Sequence, residues 1–158
     1  MSRNTYYIAE ADVAEINKVT WNQEIEQERK SAVFDLLNNS SFKLIKNETG
    51  PYKVLFRLIE WKLSLNIFDF FTNSKYEFSF SIGSIRRTIR DYQIVCENYV
   101  EAIKTAPIKK IEAIDIGRRT IHDEGATMLK VLLSEKLEIN MDTARRIFTL
   151  ISIISLKI

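Results

Sequence analysis

Three observations place this chain in the α+β class. A segment with apolar residues at helical spacing is followed by several short segments with apolar residues at every second position, and then by three long segments that return to helical spacing. The connections between the alternating segments are short, which suits antiparallel hairpins and rules against parallel crossovers. The order of helix, strands and helices therefore predicts two layers: an antiparallel β-meander of about four strands packed by an N-terminal helix and three C-terminal helices.

Tyr6 to Val13 reads as a first strand. Asn22 to Leu37 reads as a helix, because Ile25, Ala32, Val33, Leu36 and Leu37 form a stripe to which Arg29 adds only its stem. Asn38-Asn39-Ser40-Ser41 stops it. Phe42 to Ile45 is a short strand, and Gly50-Pro51 a turn. Tyr52, Val54, Phe56 and Leu58 then alternate along one face, and Glu60-Trp61 turns the chain. Leu63, Leu65 and Ile67 alternate with polar neighbours on a half-exposed strand, as do Tyr76, Phe78 and Phe80.

Ser84 is a suitable N-cap for a helix whose stripe is Ile85, Ile89, Tyr92, Cys96, Tyr99 and Ile103. Thr105-Ala106-Pro107 ends it and starts another, with Pro107 suited to the first turn. That helix carries Ile111, Ile114, Arg118, Ile121, Gly125, Met128 and Leu132 on one stripe, where Arg118 and Gly125 are not core residues. Asp142 is placed to cap a last helix with Ala144, Ile147, Phe148, Ile151 and Ile154 facing inward. No repeat, linker or low-complexity tract divides the chain, so residues 1–158 are expected to form one domain.

Composition excludes whole classes of chemistry. With 46% hydrophobic and 28% charged residues the chain can bury a core and is not of the disordered type. Its one cysteine, Cys96, permits neither an internal disulfide nor a thiolate zinc site, and falls on an apolar stripe as an inert core thiol. Its one histidine, His122, rules out His-pair metal motifs, and no metal or cofactor is implied. His122-Asp123-Glu124 matches the His-x-Glu of zinc deaminases, but their Cys pair cannot exist here. Four glycines leave no phosphate loop or dinucleotide fingerprint. Met1 to Tyr7 lacks the apolar core of a signal peptide, and the longest apolar run, Ile147 to Leu156, is too short and too interrupted to span a membrane. A cytoplasmic location is the expectation. The formal net charge of +2 is too small to announce a nucleic-acid binder.

Arginine is distributed unevenly. Seven of ten lie between positions 86 and 146, in three clusters: Arg86, Arg87 and Arg90; Arg118 and Arg119; Arg145 and Arg146. Two clusters fall in the first turns of expected helices, where the dipole opposes cations by ~0.3–1 kcal/mol each. A bound anion would offset this cost, since helix N-termini and guanidinium forks both suit phosphate or carboxylate. Internal pairing is the alternative, through Arg87 with Asp91, Asp115 with Arg119, and Arg119 with Asp123, all four apart. Arg118, on an apolar stripe, must either snorkel out or meet a buried acceptor. His122 shares its helix face with Arg118 and Asp115, a setting for proton transfer or for a structural imidazole. Gly125 marks close helix packing or a weakened helix.

The same segments resemble a known family. Ile111-Glu112-Ala113-Ile114-Asp115-Ile116-Gly117-Arg118-Arg119, His122-Asp123-Glu124-Gly125, and Asp142-Thr143-Ala144-Arg145-Arg146 with Phe148-Thr149-Leu150 are similar to the distinctive stretches of uncharacterised protein family 0262. Arg86-Arg87, Asp91-Tyr92, Cys96-Glu97 with Tyr99, and Gly50-Pro51-Tyr52 match it too. The resemblance runs from about Glu28 to the C-terminus. It implies an alphaproteobacterial protein, and carries over no activity, cofactor or catalytic residue.

Three functions follow as expectations. The first is a non-catalytic cytosolic binding protein that recognises an anionic ligand, RNA or an acidic protein through Arg86, Arg87, Arg118, Arg119, His122, Arg145 and Arg146. The second is a small metal-independent enzyme acting on a phosphorylated or carboxylated metabolite, with His122 as acid or base. The third is an assembly partner, homo-oligomeric or not, whose arginines bridge internally.

Overall fold

The computed structural model describes residues 5–14, 23–46 and 49–157. Met1 to Asn4, and Asn22 where the first helix is expected to begin, lie outside them. The elements in order are β1 (Ile8–Val13), α1 (Gln23–Leu37), β2 (Phe42–Leu44), β3 (Tyr52–Ile59), β4 (Lys62–Asp69), β5 (Lys75–Ser81), α2 (Arg86–Thr105), α3 (Ile108–Leu133), β6 (Leu137–Ile139) and α4 (Met141–Ile154). This is the α+β architecture that the switch in periodicity predicts.

The meander is β3-β4-β5, with Val54 opposite Ile67 and Leu65 opposite Phe78. Its inward positions, Val54, Phe56, Leu63 and Leu65, are fully buried, as strict alternation requires. The fourth strand of the sheet is β1, which pairs with β3 in parallel, Val13 opposite Phe56. Short connections argue for antiparallel pairing only within β3-β5; the chain between β1 and β3 includes α1, which is room for a crossover. Phe42–Leu44, expected beside the meander, instead pairs with β6, a three-residue strand that the sequence pattern does not reveal.

Three helix starts differ from expectation. Ser84 lies in a 3₁₀ turn, Gly83–Ile85, and α2 begins after Ile85, whose burial fixes the entry of the chain. Pro107 occupies the N-cap of α3 rather than its first turn. Asn140, not Asp142, caps α4 by accepting from the Thr143 amide at 2.9 Å; Asp142 sits in the first turn, where its charge suits the dipole. The Asn-rich stop after α1 behaves as expected, with Asn39 in the left-handed region at φ 80°.

A buried Asp69 organises the β4–β5 turn. Its carboxylate accepts from the amides of Phe71 at 2.8 Å and Thr72 at 3.2 Å, and from the Thr49 hydroxyl. Burial opposes its ionisation, yet these donors hold the carboxyl below its ordinary range.

The helices supply the second layer. Along the expected stripe of α2 burial fades from Ile89 and Tyr92 to Ile103, which is 53% exposed, while Ala102 beside it is buried. On α3 the buried residues are Gly125, Ala126, Leu129 and Leu133, so the inward face lies one position away from the expected Met128 and Leu132. The two helices pack on each other, but the turn joining them carries exposed apolar side chains.

Candidate functional site

The clustered arginines divide among separate surroundings. Arg118 and Arg119 share Asp115, with Arg118 Nη2 2.5 Å from Oδ1 and Arg119 Nε 3.0 Å from Oδ2. Arg119, then Arg118, hold the Asp115 carboxyl below its usual range. The Arg118 guanidinium also lies 5.0 Å over the Tyr99 ring, which resolves how a charged residue occupies that stripe. Arg145 donates to Asp123 at 2.7 Å and Asp142 at 2.8 Å, so Asp123 serves Arg145 rather than Arg119. Arg146 points elsewhere, donating to the carbonyls of Asn38 at 2.7 Å and Asn39 at 3.0 Å. Arg90 donates to Gln93 and to the Ser155 carbonyl beneath Trp61. Arg86 and Arg87 are exposed on the first turn of α2, and the expected pair of Arg87 with Asp91 is not among the ion pairs of the described residues.

His122 is half-buried between aromatic rings, with centroids 5.1 Å from Tyr92 and 5.6 Å from Phe148. Its Nε2 lies 2.8 Å from Thr149 Oγ1. The Thr149 hydroxyl spends its proton on the Arg145 carbonyl, so Nε2 must carry the hydrogen in this contact. Burial lowers the affinity of this imidazole for a second proton, with Arg118 and Arg145 acting in the same sense and Asp123 opposing. Burial also raises the neighbouring Tyr92 to about 12 and pushes the Cys96 thiol up. Both shifts disfavour the ionised, nucleophilic forms.

Beyond Tyr92 and Thr149 opens a cleft of about 740 Å³. Helices α1 and α2 form its walls and α4 its floor. Tyr92, Cys96 and Val100 of α2, Ala32 of α1, and Ile153 and Leu156 behind them supply apolar surface. Glu28 and Asp35 stand on the α1 wall, and Glu97 and Glu101 on the α2 wall. Among the described residues, no Lys or Arg lines it. Gln93 ties the α2 wall to the floor through the Ser152 carbonyl at 2.8 Å and Ser155 Oγ at 2.9 Å.

Arginine clustering points away from this cleft. The available signal was the spacing of acids on two helix faces, Glu28 with Asp35 and Glu97 with Glu101, each one or two turns apart. That spacing acquires meaning only once α1 and α2 are known to face each other across α4.

The model of uncharacterised protein family UPF0262 matches residues 6–157. The chain belongs to this family. A UPF0262 protein of Cereibacter sphaeroides (strain ATCC 17023) is 40% identical over 152 residues, covering 93% of this chain and 96% of its own. One from Jannaschia sp. is 45% identical over 136 residues, covering 83% and 85%. A third, from Paracoccus denitrificans, is 41% identical over 159 residues, covering 96% of each chain. No solved structure matches. Among the described residues of this UPF0262 member, no helix is long and apolar enough to cross a membrane. Nor, among them, does any group of three His, Cys, Asp or Glu stand where a metal ion could be held.

Proposed function

We propose that this chain is a non-catalytic cytoplasmic binding protein, and that it holds a cationic, partly apolar partner segment in the cleft between α1 and α2. One observation carries the reading: a cleft of ligand-binding size combines apolar surface with four carboxylates and, among the described residues, no lining cation. An amphipathic basic helix laid in such a groove would bury its apolar face on Val100 and Ile153 and set its cations against Glu97 and Glu101. A single free cysteine, with no partner for an internal disulfide, suits a reducing compartment. The enzyme alternative draws little support, because His122 sits behind Tyr92 with Nε2 committed to Thr149.

Calorimetric titration with a Lys/Leu helical peptide and its Glu/Leu counterpart tests the reading. Only the basic peptide binds, and Glu97→Gln with Glu101→Gln weakens it by about tenfold, with a steep dependence on salt. Equal binding of both peptides, or of neither, rejects it.

An anionic partner remains a second reading, narrowed to Arg86 and Arg87. Both are exposed and carry no ion pair among the described residues, whereas Arg118, Arg119, Arg145 and Arg146 lean on acceptors of the chain itself. Phosphate, sulfate or short RNA at about a hundred times its Kd would add ~2.7 kcal/mol of stability, a rise of roughly 5–10 °C. Arg86→Ala with Arg87→Ala should abolish that rise.

A further inference from the structure

The same chain carries, one turn beyond the end of this acidic cleft, a surface of opposite character. At the α2–α3 turn Ile103 and Ile108 are 53% and 73% exposed. Lys104, Lys109 and Lys110, all exposed, are their neighbours along the chain. Lys104 stands 3.3 Å from Glu101 in an exposed pair, and Lys109 and Lys110 form no ion pair with a described residue. Cations are what the described lining of the cleft lacks, and apolar bulk is what its apolar surface can cover.

Because cleft and turn are adjacent along α2, they can satisfy each other reciprocally. A two-fold axis crossing α2 between Ala102 and Ile103 sets the residues that follow it in one copy opposite those that precede it in the other, Lys104 facing Glu101. The lysines of each turn then approach Glu97 and Glu101 of the other copy, and Ile103 and Ile108 meet the apolar lining beside them. The contact is isologous, so it closes at two copies.

Resting on the reading of the cleft as a site for a cationic partner segment, we propose that its occupant is the α2–α3 turn of a second copy of this chain, each copy filling the cleft of the other. Charge complementarity between two surfaces of one molecule selects this partner.

Sedimentation equilibrium decides it, with two charge-reversed variants at exposed positions: Lys109→Glu with Lys110→Glu, and Glu97→Lys with Glu101→Lys. Circular dichroism checks that both are folded. The wild type should reach twice the 18.5 kDa of one chain at micromolar concentration. Each variant alone should lose at least about tenfold in dimer affinity, more at low salt than at high. An equimolar mixture of the two should recover the dimer, because both reciprocal contacts are then attractive. A wild type that keeps the mass of one chain overturns the proposal, as does a dimer indifferent to both reversals or a mixture that stays monomeric. If a monomeric wild type still binds the basic peptide, only the self-association is lost. If it binds no peptide either, the reading of the cleft falls with it.

Discussion

Gly125 of α3 lies beneath the ring of Phe148 of α4, so close that a Cβ at position 125 would overlap the ring edge. Both residues are buried, so the ring has no free space to move into. Alanine normally improves a helix over glycine by ~1 kcal/mol. Here overpacking, costing typically ~1–3 kcal/mol, should win. Gly125→Ala is therefore expected to lower Tm by a few degrees, at ~2–4 °C per kcal/mol. Adding Phe148→Leu should recover part of the loss, and strict additivity in that double variant would refute the contact as the cause.

The neighbours Arg145 and Arg146 should differ sharply. Arg145 makes exposed carboxylate pairs, whose removal costs ~0–1 kcal/mol. Arg146 instead satisfies two carbonyls at the end of α1, fastening α1 to α4. Charge-assisted bonds of this kind contribute ~1–3 kcal/mol. Urea unfolding should place Arg146→Ala well below Arg145→Ala; the reverse order would contradict this assignment.

Glu60 holds a left-handed conformation, φ 54°, in the two-residue turn between β3 and β4. A non-glycine residue there costs ~1–2 kcal/mol. Glu60 is exposed and the tight hairpin favours Asn or Gly at such a position, so Glu60→Gly should raise stability by about 0.5–1 kcal/mol. A fall in the urea midpoint would show that the Glu60 side chain contributes something its surroundings do not reveal.

What the sequence made legible follows from where each signal originates. The β3-β5 meander and the four helices are local patterns, repeated over enough residues to declare their period. The pairings of β1 and β2 are not local: β1 reaches β3 across α1, and β2 reaches β6 across most of the chain. Caps failed for a related reason, because Ser84 and Asp142 are competent by type, while the burial of Ile85 and the position of Asn140 fixed where the helices start. The arginines were the loudest feature of the sequence, yet most are satisfied within the chain. The cleft assembles acids from α1 and α2 that no single helix pattern joins.

Lowering the pH tests the environment of His122. Its folded form is held neutral chiefly by burial, below the ordinary imidazole value of 6.5. In the unfolded chain the same group takes up a proton at its ordinary value, so the unfolded state binds more protons as acid is added. The stability due to the neutral ring is whole above about pH 6.5 and is lost as the pH falls toward the lower folded value. Asp123 opposes the shift and Arg118 and Arg145 support it, so all three must be retained in the comparison. His122→Gln keeps a donor for Thr149 but cannot titrate. Between about pH 6.5 and 5, unfolding free energies from urea titrations should decline less steeply in this variant than in the wild type. Equal slopes would mean that the ring, although lodged between Tyr92 and Phe148, titrates alike in the folded and unfolded chain.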